Sequence, residues 1–188
     1  MKIHIFGASG SGVTTLGQAL SRELNYPYFD SDDYFWELSN PPFTVRRNPE
    51  ARNQLLIQHL SPLPNWILGG SIVNWDESWN TLFDLVVFLL IPAEVRMERL
   101  KKREFERYGE VIYTDPEGRN QYEAFLSWAS GYDDSTTQSQ SGKGLGRTLQ
   151  VHRNWIDKLT CQFIEIPGDT TLAERINKVL LFTDALKM

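Results

Sequence analysis

The chain is predicted to be an α/β protein, with a mostly parallel sheet carrying helices on both faces. Three observations carry this expectation. Short apolar runs alternate with segments whose apolar residues recur at helical spacing. The run Leu85-Val86-Val87-Phe88-Leu89-Leu90-Ile91 is apolar without alternation, as a strand covered on both faces reads. Residues 1–24 give strand, glycine-rich loop and helix in immediate succession.

In chain order, Ile3-His4-Ile5-Phe6 reads as a buried strand, and residues 7–12 form a glycine- and serine-rich loop. A helix follows over residues 14–24, with Leu16, Ala19, Leu20 and Leu24 at helical spacing. Tyr28-Phe29 is a second strand that stops at Asp30-Ser31-Asp32-Asp33. Asn48 caps a helix whose first position is Pro49, and Leu55, Leu56 and Leu60 supply its buried face. Trp66-Ile67-Leu68 is a third strand, broken by Gly69-Gly70-Ser71. The run 85–91 is the fourth, closed by Pro92, and a strongly charged helix spans 94–107. Tyr122, Phe125, Leu126 and Ala129 mark a short amphipathic helix; Leu149, His152, Ile156 and Leu159 mark another. Between them, residues 133–144 contain no apolar side chain, so this stretch is expected to be mobile. Phe163-Ile164-Glu165-Ile166 is a fifth strand, turned by Pro167-Gly168-Asp169. Leu172, Ile176, Val179, Leu180 and Leu186 line the last helix. In such a sheet ligands sit at the carboxyl ends of the strands. The loop 7–12, residues 30–33, 69–71 and 167–169 should therefore converge on one edge.

Composition narrows the function. A length of 188 residues corresponds to about one domain. A formal charge of −5 argues against a general grip on nucleic acid or anionic membrane. The single cysteine, Cys161, excludes an internal disulfide and a thiolate zinc cluster. No apolar run approaches the length of a membrane span, and the N-terminus does not read as a signal peptide. A cytoplasmic protein is the expectation.

The motif that carries chemistry is Gly7-Ala8-Ser9-Gly10-Ser11-Gly12-Val13-Thr14-Thr15. It fits the phosphate-binding pattern of glycine, four residues, glycine, lysine and Ser/Thr at every defined position but one. Glycines let successive N–H groups curl inward toward phosphate oxygens, and the following helix adds its positive end. Thr14 stands where a hydroxyl would ligand Mg²⁺. The lysine position holds Val13, which supplies neither charge nor donor. One lost charge-assisted hydrogen bond is worth about 1.5–3 kcal/mol.

On these residues the chain resembles the P-loop small-molecule kinases, such as adenylate, shikimate and gluconate kinases. Phe29-Asp30-Ser31-Asp32 is similar to their Asp-x-Asp, whose carboxylates hold the acceptor hydroxyl and help position Mg²⁺. Asp84-Leu85-Val86-Val87-Phe88-Leu89, Pro92 and the segment from Met97 to Arg103 resemble the strand and helix that lead into the adenylate-kinase lid. The resemblance assigns Arg99 and Arg103 to adenine and to the transferring phosphate. It places Gly168 beside the adenine. It implies a five-stranded parallel sheet of order 2-3-1-4-5 in a three-layer P-loop fold, with a lid insertion. Residues 1–188 then form one kinase-like domain, with an acceptor-binding segment at 34–60 and a lid at 108–144. Two departures stand out: Val13, and a segment 34–60 that matches no specific substrate pattern.

Each candidate has a structural alternative. Asp30, Asp32 and Asp33 can end a strand and cap a helix. Arg99 and Arg103 can belong to a solvated, salt-bridged face. Arg46-Arg47 can be surface charge or can clamp an anionic acceptor. Gly70 and Ser71 lie where substrate would sit. His4, His152 and Cys161 read as core, while Trp128 and Tyr132 could line a lid or pocket. The expected function is ATP- and Mg²⁺-dependent phosphoryl transfer to a small molecule, with Asp30 or Asp32 handling the acceptor hydroxyl. The alternative is a nucleotide-binding sensor or interaction protein with little turnover, for which Val13 speaks. A third reading is phosphate-ester binding without ATP. If the chain is a kinase, a cation other than a loop lysine must face the phosphates. Arg103 ranks first, then Arg99, followed by Lys143, Arg147 and Arg153.

Overall fold

A computed structural model describes residues 1–40, 42–134 and 147–186. Its strands are β1 (Lys2–Gly7), β2 (Tyr28–Asp30), β3 (Trp66–Gly69), β4 (Leu85–Leu90) and β5 (Gln162–Pro167). They form one sheet of order β2-β3-β1-β4-β5 in which every neighbouring pair is parallel. The α/β class and the strand order are those expected. Among the described residues there are eight α-helices. They are α1 (Val13–Leu24), α2 (Ser31–Phe35), α3 (Pro49–Leu60), α4 (Ala93–Tyr108), α5 (Val111–Thr114), α6 (Pro116–Ser130), α7 (Leu149–Ile156) and α8 (Leu172–Ala185).

The missing alternation in the strands has its cause in the two cores. Ile3 and Ile5 of β1 pack with Leu16 and Leu20 of α1 and Val179 of α8. Phe6, on the opposite face, packs with Leu56 and Leu60 of α3 and Trp155 of α7. Each fully buried Leu, Ile or Phe contributes roughly 1.5–3 kcal/mol, so both faces favour apolar residues. His4 shares Phe6's face, stacked on Phe83 with ring centroids 4.8 Å apart, and burial lowers its pKa to about 3. It is a core histidine, as expected.

Helix starts follow local chemistry. The Asn48 side chain accepts from the N–H groups of Glu50 (2.9 Å) and Ala51 (3.2 Å), with Pro49 at the first position of α3. Thr171 and Glu174 form a reciprocal capping box at α8. Three short elements have no sequence expectation: the 3₁₀ turns Glu77–Thr81 and Gly131–Asp133, and α5. They are too short to show a period.

The segment expected to be a lid begins with α5 and α6; its residues 135–144 lie outside the described residues. The base of this arm is tied down by a buried guanidinium. Arg96 of α4 donates through Nε to the Ile91 carbonyl (3.0 Å), pairs with Asp133 and lies 5.0 Å from the Tyr132 ring centroid. No helix among the described residues is long and apolar enough to cross a membrane.

Candidate functional site

Because all five strands run parallel, their carboxyl ends share one edge, where β1 delivers the glycine loop. Gly10 (φ 81°) and Gly12 (φ 91°) occupy left-handed backbone that other residues rarely adopt. At Gly10 a Cβ would also meet the Arg96 carbonyl at 2.7 Å, so the loop can lie on α4 only with glycine there. The loop is closed by Ser11 N–H donating to the Ala8 carbonyl (3.1 Å). The helix that follows has no side-chain cap and no acidic residue in its first turn. Its first N–H groups lack intrahelical partners and carry the positive end of the dipole, which suits a phosphate.

Facing the loop, Asp30 ends β2 and caps α2, accepting from Asp32 N–H at Oδ1 (3.1 Å). Its Oδ2 accepts from Thr14 Oγ1 (3.1 Å) and Tyr28 Oη (3.0 Å). The structural and functional readings of Asp30 therefore coexist. Tyr28 reaches it because its ring lies against Gly17 of α1 and Gly69 of β3; a Cβ at either glycine would overlap the tyrosine. Asp32 is about half exposed and, among the described residues, accepts no hydrogen bond at its carboxylate; Arg147 lies 4.0 Å away. Burial and the neighbouring Asp30 and Asp33 raise its pKa, partly opposed by Arg147 and Arg103. Thr14 with Asp30 and Asp32 is a set of hard oxygen donors. Mg²⁺ takes few protein ligands and fills the rest with phosphate and water, so this set fits it.

Beyond Asp32 lies a group of arginines around Phe35. Arg46, Arg52 and Arg147 stand 5.7, 5.6 and 5.5 Å from its ring centroid. Arg52 is buried and lies 3.8 Å from the centroid of Trp75. Burial and the nearby Arg147 lower its pKa to about 10. Among the described residues, the ion pair of Arg147 with Asp32 is the only one made by these three. Arg147 also lines a small cleft with Gly7, Ala8, Ser9, Trp128, Ala129 and Tyr132, so it faces the phosphate loop. Arg47 is turned away: its Nε donates to the Tyr34 carbonyl (2.9 Å) and its Nη2 to that of Trp36 (3.2 Å).

On the other flank, Gly168 (φ 77°) turns the chain after β5 and donates to the Leu90 carbonyl (2.9 Å). The next residue, Asp169, pairs with Arg99 and with Arg175 of α8. Arg103 is pinned by Glu104 (2.8 Å) and lies 5.6 Å from the Phe125 ring centroid, toward α6. Arg153 pairs with Glu165, and Lys143 lies outside the described residues. Gly70 (φ 91°) turns the chain after β3 against Ser31. Ser71 is buried, with its hydroxyl on His152 Nε2 (3.1 Å), while Tyr132 Oη sits 2.7 Å from His152 Nδ1. This chain of three ties the turn after β3 to α7 and to the arm. Burial, with a smaller push from Arg147, lowers the His152 pKa to about 3, so it is a neutral core histidine.

Sequence reasoning singled out neither Tyr28, Arg52 nor Arg175. A signal existed for two of them. Arg52 falls four residues before Leu56 and eight before Leu60, on the buried stripe of α3. Arg175 holds the same relation to Val179 and Thr183 on α8.

Comparison with known proteins bears on the family and the fold. The AAA domain family matches residues 3–117. The uncharacterized protein YqaC of Bacillus subtilis is 39% identical over 178 residues, covering 95% of this chain and 94% of that one. Shikimate kinase of Microcystis aeruginosa is 30% identical over 115 residues, 54% of this chain and 58% of the kinase. Among solved structures, deoxyadenosine kinase from M. mycoides superposes with a TM-score of 0.56 at 16% identity, over 99% of this chain and all of that one. Shikimate kinase from Aquifex aeolicus gives 0.52 at 21% identity, over 100% and 98%. These likenesses extend to the fold. With its strand order, its glycine loop and its match to the AAA domain family, the chain belongs to the P-loop small-molecule kinase family.

Proposed function

We propose that the protein is a phosphotransferase that moves the γ-phosphoryl group of ATP to a hydroxyl of a small anionic acceptor. The observation that carries this reading is the juxtaposition of Asp32, with its raised pKa, and three arginines around Phe35, of which, among the described residues, Arg147 alone pairs with a carboxylate, that of Asp32. Asp30 already accepts three hydrogen bonds within the chain, whereas Asp32 is open to a ligand. Asp32 therefore orients the acceptor hydroxyl and takes its proton. The hydroxyl oxygen bonds to the γ-phosphorus as the bond to the β-phosphate oxygen breaks, and ADP leaves. Arg52 and Arg46 hold the acceptor's anionic group through charge-assisted hydrogen bonds. Arg147, between loop and acceptor, faces the transferring group. Mg²⁺ held by Thr14 and an Asp30 or Asp32 carboxylate would neutralise phosphate charge.

The amides of residues 7–12 and the α1 N-terminus bind the phosphates, and Arg99 with Gly168 borders the base. Arg103, released from Glu104, serves as a second phosphate cation. Arg47 shapes the acceptor segment through its bonds to the Tyr34 and Trp36 carbonyls, and Ser71 holds the turn after β3 on α7. The segment 108–144 covers the site as a lid, and residues 34–60 carry the acceptor.

ATP turnover with a panel of hydroxylated acceptors tests this. Carboxylate- or phosphate-bearing acceptors should release ADP, and their neutral counterparts should not. Asp32→Asn should lower kcat by about 10²–10⁴-fold. Val13 favours a second reading, a nucleotide-binding protein with little turnover. Tight ATP binding with no acceptor-dependent ADP release would select it.

A further inference from the structure

The loop lacks its lysine, yet the positive charge around it is not lost. Arg175, in the first turn of α8, is 5% exposed. Its Nη1 donates to the Ser11 carbonyl (3.1 Å), its Nε to Thr170 Oγ1 (3.0 Å) and its Nη2 to Asp169 Oδ1 (3.3 Å). A Cβ on Gly12 would lie 3.2 Å from Nη1, so the guanidinium rests against the start of α1. The same Asp169 carboxylate pairs with Arg99, whose Nη1 approaches the Gly10 carbonyl at 3.5 Å. Two guanidiniums thus share one carboxylate and both address carbonyls of the phosphate loop. Burial, together with repulsion from Arg99 and partly opposed by Asp169, lowers the Arg175 pKa.

A carbonyl that accepts from a cation polarises its whole peptide group, and the N–H on the other side becomes the better donor. The Ser11 carbonyl shares its peptide with the Gly12 N–H, which belongs to the loop. We propose that Arg175 is the cation that stands in for the loop lysine of this chain. It acts on bound phosphate through the Ser11–Gly12 peptide and by the surplus charge of the Arg175–Asp169–Arg99 triad, not by contact. This rests on the reading of residues 7–12 as a phosphate site, and it makes Arg175 a positioning residue.

A purely mechanical tie between α8 and the loop would also join these groups, and charge separates the two accounts. Asp169→Asn keeps an amide oxygen for both arginines but removes the negative charge. The experiment is calorimetric titration of the full chain with inorganic tripolyphosphate, without Mg²⁺ or acceptor, at several salt concentrations. Asp169→Asn should tighten binding by about 5–10-fold and steepen its salt dependence. Arg175→Gln should weaken it by about 10-fold, and Arg175→Lys should recover most of the loss. The Gly12 amide resonance should move in the glutamine variant and return toward its original position in the lysine variant. Weaker or unchanged binding by Asp169→Asn overturns the charge account. Tripolyphosphate affinity untouched in Arg175→Gln overturns the inference alone. A wild-type protein that binds no tripolyphosphate overturns the phosphate-loop reading as well.

Discussion

Removing one half-buried hydroxyl, in Tyr28→Phe, probes how the loop and the carboxylates are held together. The phenol donates to Asp30 Oδ2 at 3.0 Å, the same oxygen that receives Thr14 Oγ1. A hydrogen bond to a charged group is worth about 1.5–3 kcal/mol. Asp30 retains its other two donors and phenylalanine retains the ring packing. The loss should therefore sit at the low end, about 1.5 kcal/mol, or roughly 3–6 °C in Tm for a chain of this size. Gly17→Ala acts on the same ring differently, because its Cβ overlaps the tyrosine and forces it out. Overpacking of that kind costs about 1–3 kcal/mol and displaces the hydroxyl too. Urea denaturation of the wild type and both variants measures these losses. Apparent Mg²⁺ affinity in the presence of ADP should also fall about 10-fold in Tyr28→Phe, as a lost outer-shell partner does. If both variants are as stable as the wild type, Tyr28 does not hold Asp30 in the way described.

Gly12→Asp places a carboxylate in the amide nest and should abolish ATP binding; unchanged affinity would count against the phosphate site. Stability should fall with acid in a defined window. His4 and His152 have pKa values near 3 in the fold, against about 6.5 when unfolded. Below about pH 6.5 the unfolded chain binds up to two more protons than the folded one, so stability declines toward pH 3 by as much as about 2.7 kcal/mol per pH unit. Above pH 6.5 both histidines are neutral in both states and this contribution is complete. Unfolding free energies at pH 5 and pH 7 that do not differ would refute it. His152→Phe leaves the Ser71 and Tyr132 hydroxyls without their imidazole partner and should cost about 2–4 kcal/mol by thermal melting; a neutral result would deny the tie.

Much of the fold is legible in the sequence because the period is strong where burial is two-sided. The strand 85–90 and the stripe Leu16–Leu20 needed no tertiary knowledge. The phosphate loop is legible because its backbone demands glycine at Gly10 and Gly12. The rest of the site is not, because it is assembled across elements distant in the chain. Arg175 lies 164 residues from the carbonyl it binds, and Arg147 meets Asp32 only through the sheet topology. Long polar side chains on a buried stripe, such as Arg52, look like interruptions of the period until their partners are seen. The family resemblance located Arg99 and Arg103, but their bonds to Asp169 and Glu104 follow from this chain's own residues.

The central claim is phosphoryl transfer to an anionic hydroxyl compound by a loop without lysine. Its most direct measurement is incubation with γ-labelled ATP, Mg²⁺ and a fractionated pool of small acidic metabolites, followed by chromatographic tracing of the label. The account predicts that label leaves ATP for a new phosphate ester in the acidic fraction, and that Asp32→Asn and Arg52→Met each suppress this transfer. Label that stays in ATP, or appears only as inorganic phosphate whatever the acceptor, would contradict it.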